Sequence, residues 1–182
     1  RTFDRPMGAG FFQSKAEEIG NGVVRFYTKA SFKPEAGTYV SMLHARYLSP
    51  CIQLNKSKDI KLSNIDIFHS LSMGVVAART ENIRLNDVNV TANEKKGRVF
   101  SAIADAFHFS GCKGLIKITN CAHTGQADDF VNIHGEYAPV KGRLNSNTII
   151  AEKKGKLRDD KELFSKGDAI WLVDSLTSQR TG

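Results

Sequence analysis

Cysteine is scarce in this chain, and so are long apolar runs. Three cysteines, Cys51, Cys112 and Cys121, stand in 182 residues. They are too few and too unevenly spaced for a disulfide scaffold, and with no CxxC pair they offer no zinc site. Each reads as a small buried hydrophobe. No apolar run approaches the roughly 18 residues of a membrane span. The first residues, Arg1-Thr2-Phe3-Asp4, are not a charged head followed by an apolar run. With no initiator Met, the chain reads as a processed or excised piece, and its compartment stays open. The net charge of +7 comes from basic residues scattered through turns, such as Lys56, Lys58, Lys95, Lys96, Lys153 and Lys154. No basic run interleaved with aromatics is present, which argues against a nucleic-acid platform.

Apolar residues make up 41% of the chain, enough for a real core. The length fits one domain, or one and a fragment. Residues 1–49 read as irregular leading strands. Val23–Tyr27 and Tyr39–Leu43 are predicted strands, with a turn at Pro34–Gly37 between them. Ser14–Ile19 is predicted to form a helical turn ended by Gly20.

From residue 50 the sequence repeats itself. Lys58–Ile67, Glu81–Val90 and Gly114–His123 align, with apolar columns Ile60/Ile83/Ile116, Leu62/Leu85/Ile118 and Ile65/Val88/Cys121. Asn64, Asp87 and Asn120 fall in register between the second and third columns. Such side chains bond local backbone at sharp turns and tolerate left-handed conformations. The repeat lengths are 23 and 33 residues, the longer one carrying an insertion around Asn93–Ser101. A second strand column precedes the first in each repeat: Ile52/Leu54, Val75/Ala77, Phe107/Phe109 and Val131/Ile133. Period-two alternation points these inward. No helical period accompanies the repeats, and the Leu/Asn consensus of leucine-rich repeats is absent. The pattern fits a solenoid of stacked strands, best an all-β, right-handed, single-stranded parallel β-helix of the pectin-lyase-like kind. A β-sandwich is the alternative, but it would not produce in-register columns. The β-helix is expected over residues 1–155, with rungs from 50. Leu144–Ala151 reads as one more strand. Phe164–Asp174 reads as a turn leading into a new strand, the start of a small β-barrel-like segment over 156–182.

The chemistry concentrates in Gly125–Gly135. Asp128 and Asp129 stand before the apolar strand Phe130–Ile133, and Asp105 stands before the preceding one. Asp105 precedes Asp128 by 23 residues and Asp129 by 24, about one repeat. The three acids are therefore expected to converge on one surface spot. Alternation sets Gln53, Val76, His108 and Asn132 in one outward row, and Asn55, Ala78, Ser110 and His134 in the next. Strict alternation would bury either Asp128 or Asp129, so a bulge or bend is needed to turn both outward. Converging carboxylates repel, which raises the proton affinity of at least one. A protonated acid beside an ionised one is what glycoside hydrolysis requires. Two other classes fit the same residues. One is a non-catalytic glycan-binding β-helix module. The other is a calcium-dependent polysaccharide lyase, with Arg98 or Lys113 as its base.

Several of these stretches also carry a resemblance. Ser72–Ala77, Gly97–Ser101, Ala104–Ser110 and Asp128-Asp129 followed by Val131–Gly135 together resemble glycoside hydrolase family 110. Those are bacterial exo-acting α-1,3-galactosidases built on a right-handed parallel β-helix. The likeness runs over roughly residues 40–180, and 160–182 resembles the start of that family's β-barrel. The resemblance implies removal of terminal α-1,3-linked galactose from blood-group-B-type or linear glycans, with inversion, by a periplasmic or secreted protein. It implies Asp128 as general acid, and Asp105 and Asp129 as the pair that holds and deprotonates the attacking water. His108, Asn132, His134 and Arg98 are its candidate sugar contacts. The three-acid arrangement also resembles that of polygalacturonases. The expected partner is a galactose-terminated oligosaccharide or glycoconjugate. No cofactor or metal belongs to this reading, and a homo-oligomer is left open.

Overall fold

The computed structural model describes residues 15–27, 34–38, 40, 47–152 and 164–181. It divides into two compact units, Arg1–Arg46 and Tyr47–Gly182. In the first, β1 (Lys15–Gly20) pairs antiparallel with β2 (Val23–Tyr27). Strand β2 is as the sequence predicts, but the helical turn expected over Ser14–Ile19 is strand from Lys15 on, Ser14 lying outside the described residues. The reason is local. Asn21 and Gly22 both take positive φ, 53° and 72°, the Asn-Gly turn whose twist matches a two-residue hairpin. Cross-strand contacts then hold Lys-Ala-Glu-Glu extended: the Tyr27 hydroxyl donates to Glu17 at 2.8 Å, and Arg25 lies 3.7 Å from the same carboxylate. Helix propensity is a weak prior beside such pairing. The turn at Pro34–Gly37 is present, with the Thr38 amide donating to the Glu35 carbonyl at 3.1 Å. The predicted strand Tyr39–Leu43 lies, but for Val40, outside the described residues.

The second unit carries the repeats. Its strands are β3 (Ile52–Asn55), β4 (Lys58–Ile67), β5 (Val75–Ala78), β6 (Glu81–Thr91), β7 (Phe107–Ser110), β8 (Lys113–Thr119), β9 (His123–Thr124) and β10 (Val131–His134), followed by β11 (Val140–Asn145) and β12 (Thr148–Ala151). Successive strands alternate between two four-stranded parallel sheets, ordered β10-β7-β5-β3 and β4-β6-β8, with β9 pairing with β6. A third line of parallel bridges joins Ser70, Ala102 and Gln126. The register follows the sequence columns. Ile60 pairs with Ile83 and Ile83 with Ile116, Leu62 with Leu85 and Leu85 with Ile118, and Ile65 with Val88. The other sheet pairs Ile52 with Val75, Val75 with Phe107, and Phe107 with Val131.

Asn64, Asp87 and Asn120 take φ of 56°, 55° and 53°, so the in-register Asn/Asp positions are left-handed corners. Asp59 and Asn82 form a second such column (φ 54° and 55°). Asn82 donates from Nδ2 to Asp59 at 2.9 Å and accepts the Leu115 amide at 3.1 Å. The insertion is a short 3-10 turn, Glu94–Lys96, capped by Asn93 and closed by Gly97.

The inward side chains make one core. Val75, Ala77, Phe107 and Phe109 of one sheet and Ile83, Leu85, Val88 and Val90 of the other are wholly buried. Ile133, predicted inward, is 57% exposed, because β10 is the edge strand of its sheet and carries no strand beyond it. The expected burial of all three cysteines is also revised. Cys112 and Cys121 are half-buried against the core, whereas Cys51 is exposed just before β3. Burial pushes the Cys112 thiol above its ordinary range.

After β10 the parallel pattern stops. Val140–Ala151 is an antiparallel hairpin, β11 with β12, rather than another rung, so the two parallel sheets coexist with antiparallel pairs. The predicted strand within Phe164–Asp174 is likewise replaced by turns and one antiparallel bridge, Val173 to Arg180. There Asp174 accepts the amides of Leu176 and Thr177 and the Thr177 hydroxyl at 2.8–3.0 Å. Those bonds, the Thr177 amide first, hold its carboxyl below the usual range. Arg180 covers the Trp171 ring at 3.8 Å. No helix among the described residues is long and apolar enough to cross a membrane.

Candidate active site

Three stretches of chain stack to form the site. Ser70–Gly74, Ala102–Ala106 and Gln126–Phe130 share one local pattern: a parallel bridge residue, two bends, a residue outside regular structure and a bend into the following strand. The stack places Met73, Asp105 and Asp129 in one column and Ser72, Ala104 and Asp128 in the next. Backbone bonds fix it: the Gly74 amide donates to the Asp105 carbonyl at 3.0 Å, and the Ala106 amide to the Asp129 carbonyl at 2.9 Å. Asp129 therefore lies one repeat beyond Asp105, and Asp128 occupies a position that is alanine in the repeat before it.

This resolves how two adjacent acids both reach solvent. Strand β10 begins at Val131, and Asp128 and Asp129 lie in the bend before it, where period-two alternation does not apply. The Asp129 amide donates to the Asp128 carboxylate at 3.1 Å, which stabilises the bend. Gly125 makes the approach to it. Its φ is 71°, and a Cβ there would lie 2.6 Å from the Val99 carbonyl oxygen. Asp105 is 4% exposed, whereas Asp128 and Asp129 are exposed. One oxygen from each of the three carboxylates lies within 4.8 Å of the others. A water placed about 2.8 Å from two such oxygens would bond both.

The outward rows deliver the next residues. His108 stacks on Val76 and Asn132 on His108; Ser110 and His134 are paired in the adjoining row. His108 Nδ1 lies 2.6 Å from Asp105 Oδ2, so the buried carboxylate has an imidazole partner. His108 Nε2 lies 3.1 Å from His134 Nε2, and the rings meet edge to face at 5.0 Å. His134 Nδ1 is 2.8 Å from the Gly135 carbonyl. Arg98 is placed differently. It follows the 3-10 turn and is exposed, with its amide bonded to the Asn93 carbonyl at 3.1 Å. It adjoins Val99, whose carbonyl faces Gly125, and no hydrogen bond or ion pair among the described residues joins its side chain to the carboxylates. Lys113, the other basic residue considered, is ion-paired with Asp168 at the start of β8. That contact, reinforced by the Ser165 amide, holds the Asp168 carboxyl below its usual range.

One residue escaped the sequence reading. Glu136 accepts a hydrogen bond from the Ser110 hydroxyl, beside the row that ends in His134. The signal was there: 132, 134 and 136 continue the same alternation past the glycine. Among the described residues, the three carboxylates are also the one group close enough to surround a cation. Exposed acidic clusters commonly lack an ion, and nothing else here marks a metal site.

Scanned against protein-family profiles, the chain gives no match. Among curated proteins, it is 35% identical over 164 residues to α-1,3-galactosidase A of Shewanella woodyi, covering 90% of this chain and 27% of that one. It is 38% identical over 172 residues to α-1,3-galactosidase B of Bacteroides thetaiotaomicron, covering 92% and 28%. It is 32% identical over 167 residues to α-1,3-galactosidase A of Bacteroides fragilis, again covering 92% and 28%. The chain thus spans just over a quarter of the length of the curated relatives it matches. It is a glycoside-hydrolase-family-110-like segment, homologous over nine-tenths of its length to part of the α-1,3-galactosidases.

Proposed function

We propose that this segment carries the catalytic carboxylates of an exo-acting glycoside hydrolase that removes terminal α-1,3-linked galactose with inversion. The observation that supports it best is the meeting of Asp105, Asp128 and Asp129 around one point, in a chain homologous to α-1,3-galactosidases. In this reading Asp128, exposed on the bend, protonates the glycosidic oxygen. Asp105 and Asp129 hold a water and take its proton as it attacks the anomeric carbon. Asn132, His134 and Arg98 line the approach of the sugar. The substrate is a galactose-terminated oligosaccharide or glycoconjugate, met in the periplasm or outside the cell.

The scaffold in this proposal is a right-handed parallel β-helix. Alternation of successive strands between two parallel sheets, with a third line of parallel bridges, supports it. Stacked rungs about 4.8 Å apart put acids on neighbouring repeats within reach of one sugar.

The test is the anomer first released when the whole protein hydrolyses an α-1,3-galactosyl disaccharide, followed by proton NMR. β-Galactose appearing first is the expected result. α-Galactose appearing first overturns inversion; the carboxylate oxygens, within 4.8 Å of one another, lie nearer the about 5–5.5 Å of retaining enzymes than the about 6.5–9.5 Å of inverting ones, so inversion in this reading rests on the family resemblance. Binding without turnover would favour a glycan-binding module. An unsaturated product lost on chelation would favour a lyase.

A further inference from the structure

Four rungs present outward side chains on the sheet that leads from the carboxylates, and one rung differs from the rest. Gln53 and Asn55 of β3, His108 and Ser110 of β7, and Asn132 and His134 of β10 are all polar. Strand β5 places Val76 and Ala78 at the same two positions, Val76 in register with Gln53 and His108, Ala78 with Asn55 and Ser110. Both are half-buried, although they point away from the core. The column before the strands repeats the contrast. Met73 stands where the next two repeats have Asp105 and Asp129, and the Gly74 amide beside it donates to the Asp105 carbonyl at 3.0 Å.

The side chains at positions 105 and 108 meet across their bend at 2.6 Å. The same backbone, one rung earlier, sets Met73 beside Val76. The Ser72 hydroxyl donates to the Met73 thioether at 3.2 Å, which holds the end of that side chain. Met73, Val76 and Ala78 therefore make an apolar strip one rung wide, with the carboxylates and His108 on one flank and Gln53 and Asn55 on the other. Strand β5 is interior to its sheet, between β3 and β7, so the strip does not serve strand pairing. Apolar surface beside a few convergent polar groups is the anatomy of a small-ligand site.

Galactose has a face to match. Its axial 4-hydroxyl leaves the C3, C4 and C5 hydrogens together on the opposite side of the ring, a continuous apolar patch rimmed by hydroxyls. We propose that Met73 and Val76, with Ala78 beside them, form the floor that receives this face of the terminal galactose. The ring then lies over β5 with its anomeric carbon toward Asp105, and the aglycone leaves toward Asp128 and β10. The substrate crosses the rungs instead of following one strand, and rungs about 4.8 Å apart place sugar and aglycone on successive repeats. The identity of the sugar rests on the hydrolase reading; the apolar floor beside the carboxylates does not.

The experiment uses the whole protein and two measurements. Free galactose, titrated by calorimetry, reports the floor without an aglycone and without turnover. Val76→Gln should weaken its binding about tenfold, the low end of what one methylene-sized apolar contact is worth, because Val76 is only half-buried. Met73→Gln, which keeps the length of the side chain, should do the same. Val76→Ile, which keeps the surface apolar, should bind as the wild type does. Gln53 and Asn132 already occupy this outward row in other rungs, so Val76→Gln suits the strand. On an α-1,3-galactosyl disaccharide, the two glutamine variants should raise KM by the same factor and lower kcat far less. That split marks a contact made equally before and during reaction, whereas loss of folded protein would lower kcat and leave KM in place. Cleavage by a protein whose KM and galactose affinity ignore both glutamine variants would overturn the floor and leave the hydrolase reading standing. An equal loss in Val76→Ile, or a fall in kcat with KM unmoved, would overturn it too, by assigning this rung to packing. Galactose binding weakened by the glutamine variants alone, in a protein that cleaves no disaccharide, would uphold the floor and count against the hydrolase reading.

Discussion

Asp129 stands one repeat beyond Asp105, its carbonyl accepting the Ala106 amide at 2.9 Å. The alignment is a property of the backbone, set by the parallel pairing of β7 with β10 that continues it. The side chains have only to project from neighbouring positions of the same bend to meet. A solenoid builds a site by changing side chains at a repeated position while the backbone repeats itself. Met73 below and the two aspartates above show the change within three repeats.

The roles of the acids lead to the first prediction. Asp128→Asn in the whole protein should lower kcat on an α-1,3-galactosyl disaccharide by about 10²–10⁴-fold. The amide keeps shape and polarity but has no proton of suitable acidity to give. Sugar binding, measured by calorimetry, should persist. Turnover like that of the wild type would remove Asp128 from the role of acid.

Much of this was legible from sequence, for a physical reason. Where both sheets bury one face, period two fixes the register, and a slip of one residue would expose Leu85 or Phe107. The Asn64/Asp87/Asn120 column marked the corners because few residues other than glycine take positive φ readily. Convergence of the acids followed from their spacing alone. What stayed hidden depended on pairing that no period records. Lys15–Gly20 is rich in helix formers, yet Asn21-Gly22 turns it into a hairpin. Leu144–Ala151 looked like a rung because its apolar residues alternate, but its partner is the chain just before it. The outward turn of Asp128 and Asp129 was obscure because strand periodicity was applied three residues too early.

The core between the acid bends and the second sheet can be tested by stability. Phe107 is wholly buried, its ring 5.4 Å from that of Phe130 and its amide bonded to the Phe130 carbonyl at 2.9 Å. Phe107→Ala should cost about 3–5 kcal/mol, through lost burial and the cavity left behind. Urea unfolding of this chain, followed by circular dichroism, measures it. A loss below about 1 kcal/mol, the level of an ordinary surface change, would show that this part of the core is not packed as described.

Gly125 gives a prediction that links backbone to site. At φ 71°, with the Val99 carbonyl 2.6 Å from any added Cβ and the Ala92 Cβ 3.0 Å away, Gly125→Ala is strained twice over. The cost should exceed about 1 kcal/mol. The bend carrying Asp128 and Asp129 should move with it, because the Gly125 carbonyl accepts the Ser101 amide at 2.9 Å. Amide shifts of Asp128 and Asp129 in ¹⁵N-labelled protein should change while those of β4 do not. Unchanged shifts at both aspartates would disconnect Gly125 from the site.

The last prediction concerns pH and the segment after the hairpin. Asp168 ties residues 164–181 to the repeats through Lys113, with Arg79 at 4.0 Å and the Ser165 amide at 2.8 Å. Its carboxyl is held below the ordinary value of 3.8, chiefly by the Lys113 ammonium and then by the Ser165 amide. A group whose folded value is depressed stabilises fully above its unfolded value, and loses that contribution as pH falls through the folded one. The tie should therefore be intact at neutral pH and released only below 3.8. The Ser165 amide proton reports it, since its resonance follows the charge on the carboxylate it bonds. Its midpoint should lie below 3.8 in the wild type and rise toward that value in Lys113→Met. Because the Lys113 ammonium is exposed, the effect should also shrink in high salt. A midpoint that Lys113→Met leaves in place would assign the tie to the Ser165 turn alone, and would leave the segment with no ionic hold on β8.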